Sequence, residues 1–168
     1  MKTIPEARIQ DYQKCVEEKL KFLRENRHIV LATSYNDSVT ARTIDYACSG
    51  FEIFFLSWDH HVKITQIKGN PRVALCRDNI QIEGLAQILG NPFDEKNHRY
   101  NELYKEKLPI LFEKFAGLPG MVFVKVTPGL FKTFFGGKDR RIEYLDICSK
   151  TAFWKELEEE EYIPVNLE

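Results

Sequence analysis

The chain alternates between segments that repeat an apolar residue every three or four positions and segments that repeat one every second position. Tyr12, Val16, Leu20 and Leu23 recur at helical spacing with charged residues between them, which predicts an amphipathic helix over residues 9–25 laid on a sheet. Residues 28–35 then form an apolar, β-branched run, Asn36-Asp37 supplies turn chemistry, and residues 39–47 alternate, predicting a hairpin. After the turn at Cys48-Ser49-Gly50, the aromatic run FEIFFLS (51–57) predicts a strand buried on both faces. A short helix is expected next, capped by Asp59, burying Val62, Ile64 and Ile67, and stopped by Gly69 and Asn70-Pro71.

Residues 72–77 and 80–89 read as two strands about an Asp78-Asn79 turn. Residues 94–115 are helical in composition, and Pro109 splits them into two helices. Residues 121–127 and 130–135 read as a hairpin about Pro128-Gly129, residues 142–148 as a last strand, and residues 153–161 as a short acidic helix. The expected fold is therefore mainly β with helices: a six- to seven-stranded antiparallel split β-barrel decorated by α-helices. The barrel would occupy about residues 27–148 of one domain spanning 1–168, with 94–115 as a helical insertion peripheral to it.

Composition narrows the function. With 168 residues, 43% hydrophobic, the chain suits one core rather than two. Its 24 Lys and Arg nearly balance 25 Asp and Glu, so no long-range field favours nucleic acid or an anionic membrane. No apolar run approaches the ~20 residues of a membrane span, and a cytoplasmic location is expected. The four cysteines lack metal or disulfide spacing and read as buried reduced thiols. Rossmann, P-loop, zinc-protease and hydrolase signatures are absent. The adjacent His60-His61 would diverge on a helix, so joint chelation is disfavoured and helix-start solvation is the expectation.

Residues 42–79 hold the most suggestive chemistry. Arg42 interrupts an otherwise uncharged strand, Ser57 ends the aromatic strand, and Lys63 lies near the first turn of the next helix. A guanidinium fork, a hydroxyl, an ammonium and a helix start together suit a terminal phosphate; each alone is equally consistent with a solvent-facing residue. The basic loop Gly136–Arg141 reads as a plain surface turn.

HIVLATSY, ARTIDY, FFLSWDHHVKITQIKGNPRVAL and IEGLAQIL, in this order, resemble the FMN-binding split-barrel family typified by pyridoxamine 5′-phosphate oxidase, and MVFVKVTP resembles its later strand. The resemblance implies an FMN cofactor. Arg42 and Lys63 would hold its phosphate, Thr43 and Ile44 would line the isoalloxazine by their backbone, and Ser57 and Trp58 would border it. Asn79 would reach the flavin of a neighbouring subunit. The resemblance also implies a homodimer, and the aromatic strands (Phe51, Phe54, Phe55, Phe123, Phe131, Phe134 and Phe135) carry more apolar surface than a small barrel is expected to bury alone. Val62 stands where the oxidases carry an arginine, and no Arg-x-His element follows Lys138, so pyridoxamine phosphate oxidation is not expected. The implied activity is an FMN-dependent oxidoreductase passing electrons from a nicotinamide-type donor to a small acceptor. The alternatives are a non-catalytic flavin or haem binder, with His28, His60, His61 and His98 as candidate haem ligands, or a deazaflavin protein.

Overall fold

The computed structural model describes residues 7–157. The chain opens with a two-residue strand β1 (Arg8–Ile9), followed by α1 (Tyr12–Glu25). Asp11 caps α1 by accepting from the Lys14 amide at 3.1 Å, so the helix starts three residues later than the apolar spacing suggested. Cys15, Lys19 and Leu23 form its buried stripe.

β2 (His28–Tyr35) and β3 (Ser38–Asp45) pair through a two-residue turn in which Asn36 and Asp37 both have positive φ, 47° and 59°. This is the left-handed pair that a twisted hairpin selects, and Asn and Asp tolerate it best after glycine. β4 (Ala47–Ser49) turns through Gly50 into β5 (Glu52–Trp58), which leads to α2 (Val62–Gly69), β6 (Arg72–Arg77) and β7 (Ile80–Gly90). The 94–115 segment is a short 3₁₀ turn, α3 (His98–Lys107) and α4 (Pro109–Phe115), divided at Pro109 as expected. β8 (Met121–Phe135), β9 (Arg141–Asp146) and β10 (Thr151–Glu156) complete the described chain.

All pairings are antiparallel, in the order β1-β10-β9-β8-β7-β6-β2-β3, with β5 also on β8. β8 makes the barrel split. Along one edge it pairs with β7 throughout; along the other, residues 121–126 pair with β5 and residues 130–135 with β9. Pro128, which has no N–H to donate, lies where that second partner changes. Opposite it the ladder slips between Glu83 and Gly84. A Cβ on Gly84 would stand 2.7 Å from the Thr127 carbonyl oxygen, so glycine permits the close approach.

Four expectations are corrected. Pro128-Gly129 is a bulge within one fifteen-residue strand, not a hairpin turn. Residues 151–156 are a strand on β9, not the start of an acidic helix, because Phe153 stacks on Tyr144 at 4.8 Å and Ala152 is buried against the barrel; residues 158–161 lie outside the described residues. The sheet has ten strands rather than six or seven, the short β1 and β4 among them. Cys76 and Cys148 are exposed, although all four thiols are free as expected.

Two cores meet on β5. Ile53 and Phe55 join Leu31, Leu75, Ile82, Val126 and Phe131 inside the barrel, while Phe54 points the other way onto Phe123, Tyr104, Leu108 and Phe112. Phe54 and Phe123 meet edge to face with centroids 6.1 Å apart. The helical insertion therefore covers the outer face of β5 and supplies its second core. Of the aromatic residues on these strands, Phe54, Phe55, Phe123 and Phe131 are completely buried within one chain, Phe51 and Phe135 are half-buried, and Phe134 is 39% exposed.

Candidate functional site

The end of β5, the C-terminal half of β3 and the start of α2 converge on a cavity of about 250 Å³. Arg42, Thr43, Ile44, Ser57, Trp58 and Lys63, six of the seven residues singled out from the sequence, line it together. Asn79 does not: it is exposed at the β6–β7 turn, where its Nδ2 donates to the Phe134 carbonyl at 2.8 Å and ties the turn to β8.

Arg42 is held rather than free. Its Nη1 donates to Thr33 Oγ1 (2.7 Å) and to the Leu31 carbonyl (3.3 Å), and its Nη2 donates to Thr40 Oγ1. Its Nε–H and one Nη2–H have no partner among the described residues. Lys63, half-buried in the first turn of α2, donates to His61 Nδ1 at 3.0 Å. Burial pushes the Lys63 ammonium below its ordinary pKa, and the charge of Arg42 lowers it further. Burial alone lowers Arg42. Burial, with Lys63 and then His60, lowers His61, which keeps the imidazole neutral and its Nδ1 an acceptor.

Neither cation is neutralised. Among the described residues no carboxylate pairs with Arg42 or Lys63, and the acid that lines the cavity, Asp45, is already engaged by Arg27 and His28, each at 2.8 Å. No side chain caps α2, so its positive end adds to the same field. Asp59, expected as the cap, lies outside the helix: its amide donates to the Gly120 carbonyl at 2.8 Å, and its carboxylate packs against Gly120. Val62, where an arginine would add a third charge, faces solvent, 61% exposed, instead of joining the buried face.

Opposite the cations the wall is apolar. Leu56, Met121 and, from the helical insertion, Tyr104, Leu111 and Phe115 line it. These residues were not singled out as site residues from the sequence, because the insertion reaches the site only through tertiary packing. His61, named from the sequence as a candidate haem ligand, is brought to the cavity where α2 begins at Val62. Ser57, at 4% exposure, turns its hydroxyl to the Trp58 carbonyl at 3.2 Å, leaving its lone pairs able to accept.

A larger cavity, about 650 Å³, lies beside the Gly136–Arg141 loop. Its lining mixes both signs: Arg141 pairs with Glu143 at 3.0 Å and Glu156 with Arg8 at 3.3 Å, while Lys138 and Arg140 are exposed to solvent, unlike the partly buried cations of the first cavity. No group of three or more metal-ligating side chains occurs among the described residues, and no helix there is long and apolar enough to cross a membrane.

The same backbone recurs among solved structures. A candidate pyridoxamine 5′-phosphate oxidase from Listeria innocua superposes with a TM-score of 0.57 at 20% identity, over 71% of this chain and 97% of the other. This chain has the split β-barrel fold of the pyridoxamine 5′-phosphate oxidase-like proteins. An FAD-binding protein from Mesorhizobium loti matches at TM-score 0.55 and 18% identity, over 74% of this chain and 94% of its own. The haem storage protein HutZ of Vibrio cholerae matches at 0.57 and 14%, over 67% and 89%. Proteins of this fold thus include both flavin and haem binders. No protein-family model matches the sequence, and neither does any curated protein.

Proposed function

We propose that the chain binds FMN in the Arg42–Lys63 cavity and works as an FMN-dependent oxidoreductase. The observation that carries the reading is the pair of unneutralised, partly desolvated cations at a helix start, with no acid available to them. A phosphate dianion supplies the missing charge, the free edge of Arg42 and the ammonium of Lys63 supply donors, and α2 adds its dipole. The flavin ring would lie along the backbone of Thr43 and Ile44 and against Ser57 and Trp58, with the apolar wall behind it. When bound, FMN supplies the redox chemistry, taking electrons from a nicotinamide-type donor and passing them to a small acceptor; the chain supplies grip, orientation and exclusion of water.

A cavity of this size covers part of a flavin, and a second copy of the chain would complete it, bringing the partner's Asn79 to the ring. Val39 and Leu85, 71% and 56% exposed, border an outward-facing apolar groove that a second copy would bury. Light scattering at micromolar concentration tests this: a dimer is expected, and a flavin-loaded monomer would remove the shared site.

His61 favours one rival. It lines the cavity, and its Nε2 has no partner among the described residues, as an axial haem ligand needs. The absorption spectrum of the purified protein separates the two: flavin bands bleached by NADH or NADPH support the first reading, and a Soret band that His61→Ala abolishes supports the second.

A further inference from the structure

We infer that Gln66 is the positioning residue of the phosphate grip: it orients Arg42 through two threonine hydroxyls and locks the arginine strand to the helix that carries Lys63. The inference rests on the phosphate reading above and identifies what sets that site's geometry.

Gln66 is 4% exposed on α2, one turn beyond Lys63. Its Oε1 accepts from Thr33 Oγ1 at 2.6 Å on β2 and from Thr40 Oγ1 at 2.7 Å on β3, and its Nε2 donates to the Ser38 carbonyl at 3.0 Å. An amide oxygen has two lone pairs, and both are used. Each threonine hydroxyl thereby spends its one proton on Gln66, so its oxygen faces Arg42 as an acceptor. Arg42 uses both: Nη1 donates to Thr33 and Nη2 to Thr40. The amide thus fixes hydroxyl polarity, and the hydroxyls fix the guanidinium, leaving Nε–H and one Nη2–H for a ligand.

A structural role alone would use these bonds to join α2 to the β2–β3 hairpin and would be indifferent to the direction of the hydroxyl protons. The polarity chain distinguishes the two. Without the amide oxygen, each threonine is free to donate elsewhere, and Arg42 loses its preset direction while keeping its charge. The same helix positions Lys63, so one side chain sets the relation between the two side chains that hold the phosphate.

The test compares FMN and riboflavin, which differ by the phosphate, in titrations of apo-protein. Gln66→Met keeps the length of the side chain and removes both polar atoms. We expect FMN affinity to fall roughly tenfold, the effect of about one lost hydrogen bond to a charged group, with riboflavin affinity changed less than about twofold. Thr40→Val breaks one arm and is expected to narrow the FMN-to-riboflavin ratio less; it also serves if Gln66→Met does not fold. Adding Gln66→Met to Arg42→Ala should narrow the ratio further by less than Gln66→Met narrows it in the wild-type background, since only the part acting through Lys63 remains. Equal losses for both ligands, or an unchanged ratio in folded Gln66→Met and Thr40→Val, would overturn the positioning role. If Arg42→Ala itself leaves the ratio unchanged, the phosphate reading fails and this inference with it; if only Arg42→Ala narrows it, the inference alone fails.

Discussion

Lys63→Met separates a binding residue from a structural one because it moves two quantities in opposite directions. Methionine keeps the unbranched stem that packs in the first turn of α2 and removes the ammonium. In the apo-protein that ammonium is penalised by burial first and by Arg42 second. A lysine whose folded pKa is depressed binds fewer protons folded than unfolded, so its penalty is fully present below the folded pKa and is relieved as pH rises through that value toward 10.5. Removing it at neutral pH therefore leaves apo stability unchanged or raises it. With FMN bound, the same change deletes a charge-assisted contact worth about 1.5–3 kcal/mol, a roughly ten- to hundred-fold weaker dissociation constant. Apo melting temperature by calorimetry and FMN affinity by flavin fluorescence measure the two effects. A lower apo melting temperature with unchanged FMN affinity would refute the reasoning, because Lys63 would then be stabilising the fold rather than waiting for an anion.

Three further outcomes follow from the same geometry. FMN affinity should decline as pH rises toward 10.5, since phosphate binding takes up the proton that depressed Lys63 gives away early, and Lys63→Arg should flatten that decline; a pH-independent dissociation constant in wild type over this range argues against the site. Phe54→Ala should cost about 3–5 kcal/mol of unfolding free energy, because the ring is fully buried between β5 and the insertion helices, and urea denaturation would show a smaller loss if the insertion were not docked. Gly84→Ala should destabilise through the 2.7 Å approach of its new Cβ to the Thr127 carbonyl, and a neutral or stabilising effect would mean that the β7–β8 bulge relaxes freely.

Much of this fold was legible along the chain, for local reasons. β2 and β6 have the residue limits that alternation and turn residues suggested, because each strand has one barrel face and sharp turns at its ends. Phe51 to Ser57 was legible as doubly buried because no polar residue but Glu52 interrupts it. Pro128-Gly129 misled because the pair that makes a tight turn also fits a bulge, and what decides is Gly84 on the opposite strand, over forty positions away. The strand at 151–156 was hidden by its charged residues; it forms because Tyr144 and Arg8 stack on Phe153 and Trp154.

The site divides in the same way. Arg42, Ser57 and Lys63 stand out as polar residues in apolar or turn contexts, and the structure brings them together. Tyr104, Leu111 and Phe115 carry no local mark, His61 stood out only as a possible haem ligand, and Gln66 reads as an ordinary helix residue until its three partners on two other strands are seen. Asn79 was placed by resemblance across a subunit boundary, and within one chain it closes a turn.

The central claim is that a phosphate sits between Arg42 and Lys63. Titrating apo-protein with FMN and with riboflavin, for wild type, Arg42→Ala and Lys63→Ala, tests it most directly. Wild type is expected to prefer FMN strongly, with each variant reducing that preference by roughly ten- to hundred-fold while riboflavin affinity is retained. Equal wild-type affinity for the two ligands, or the same preference in both folded variants as in wild type, would contradict it.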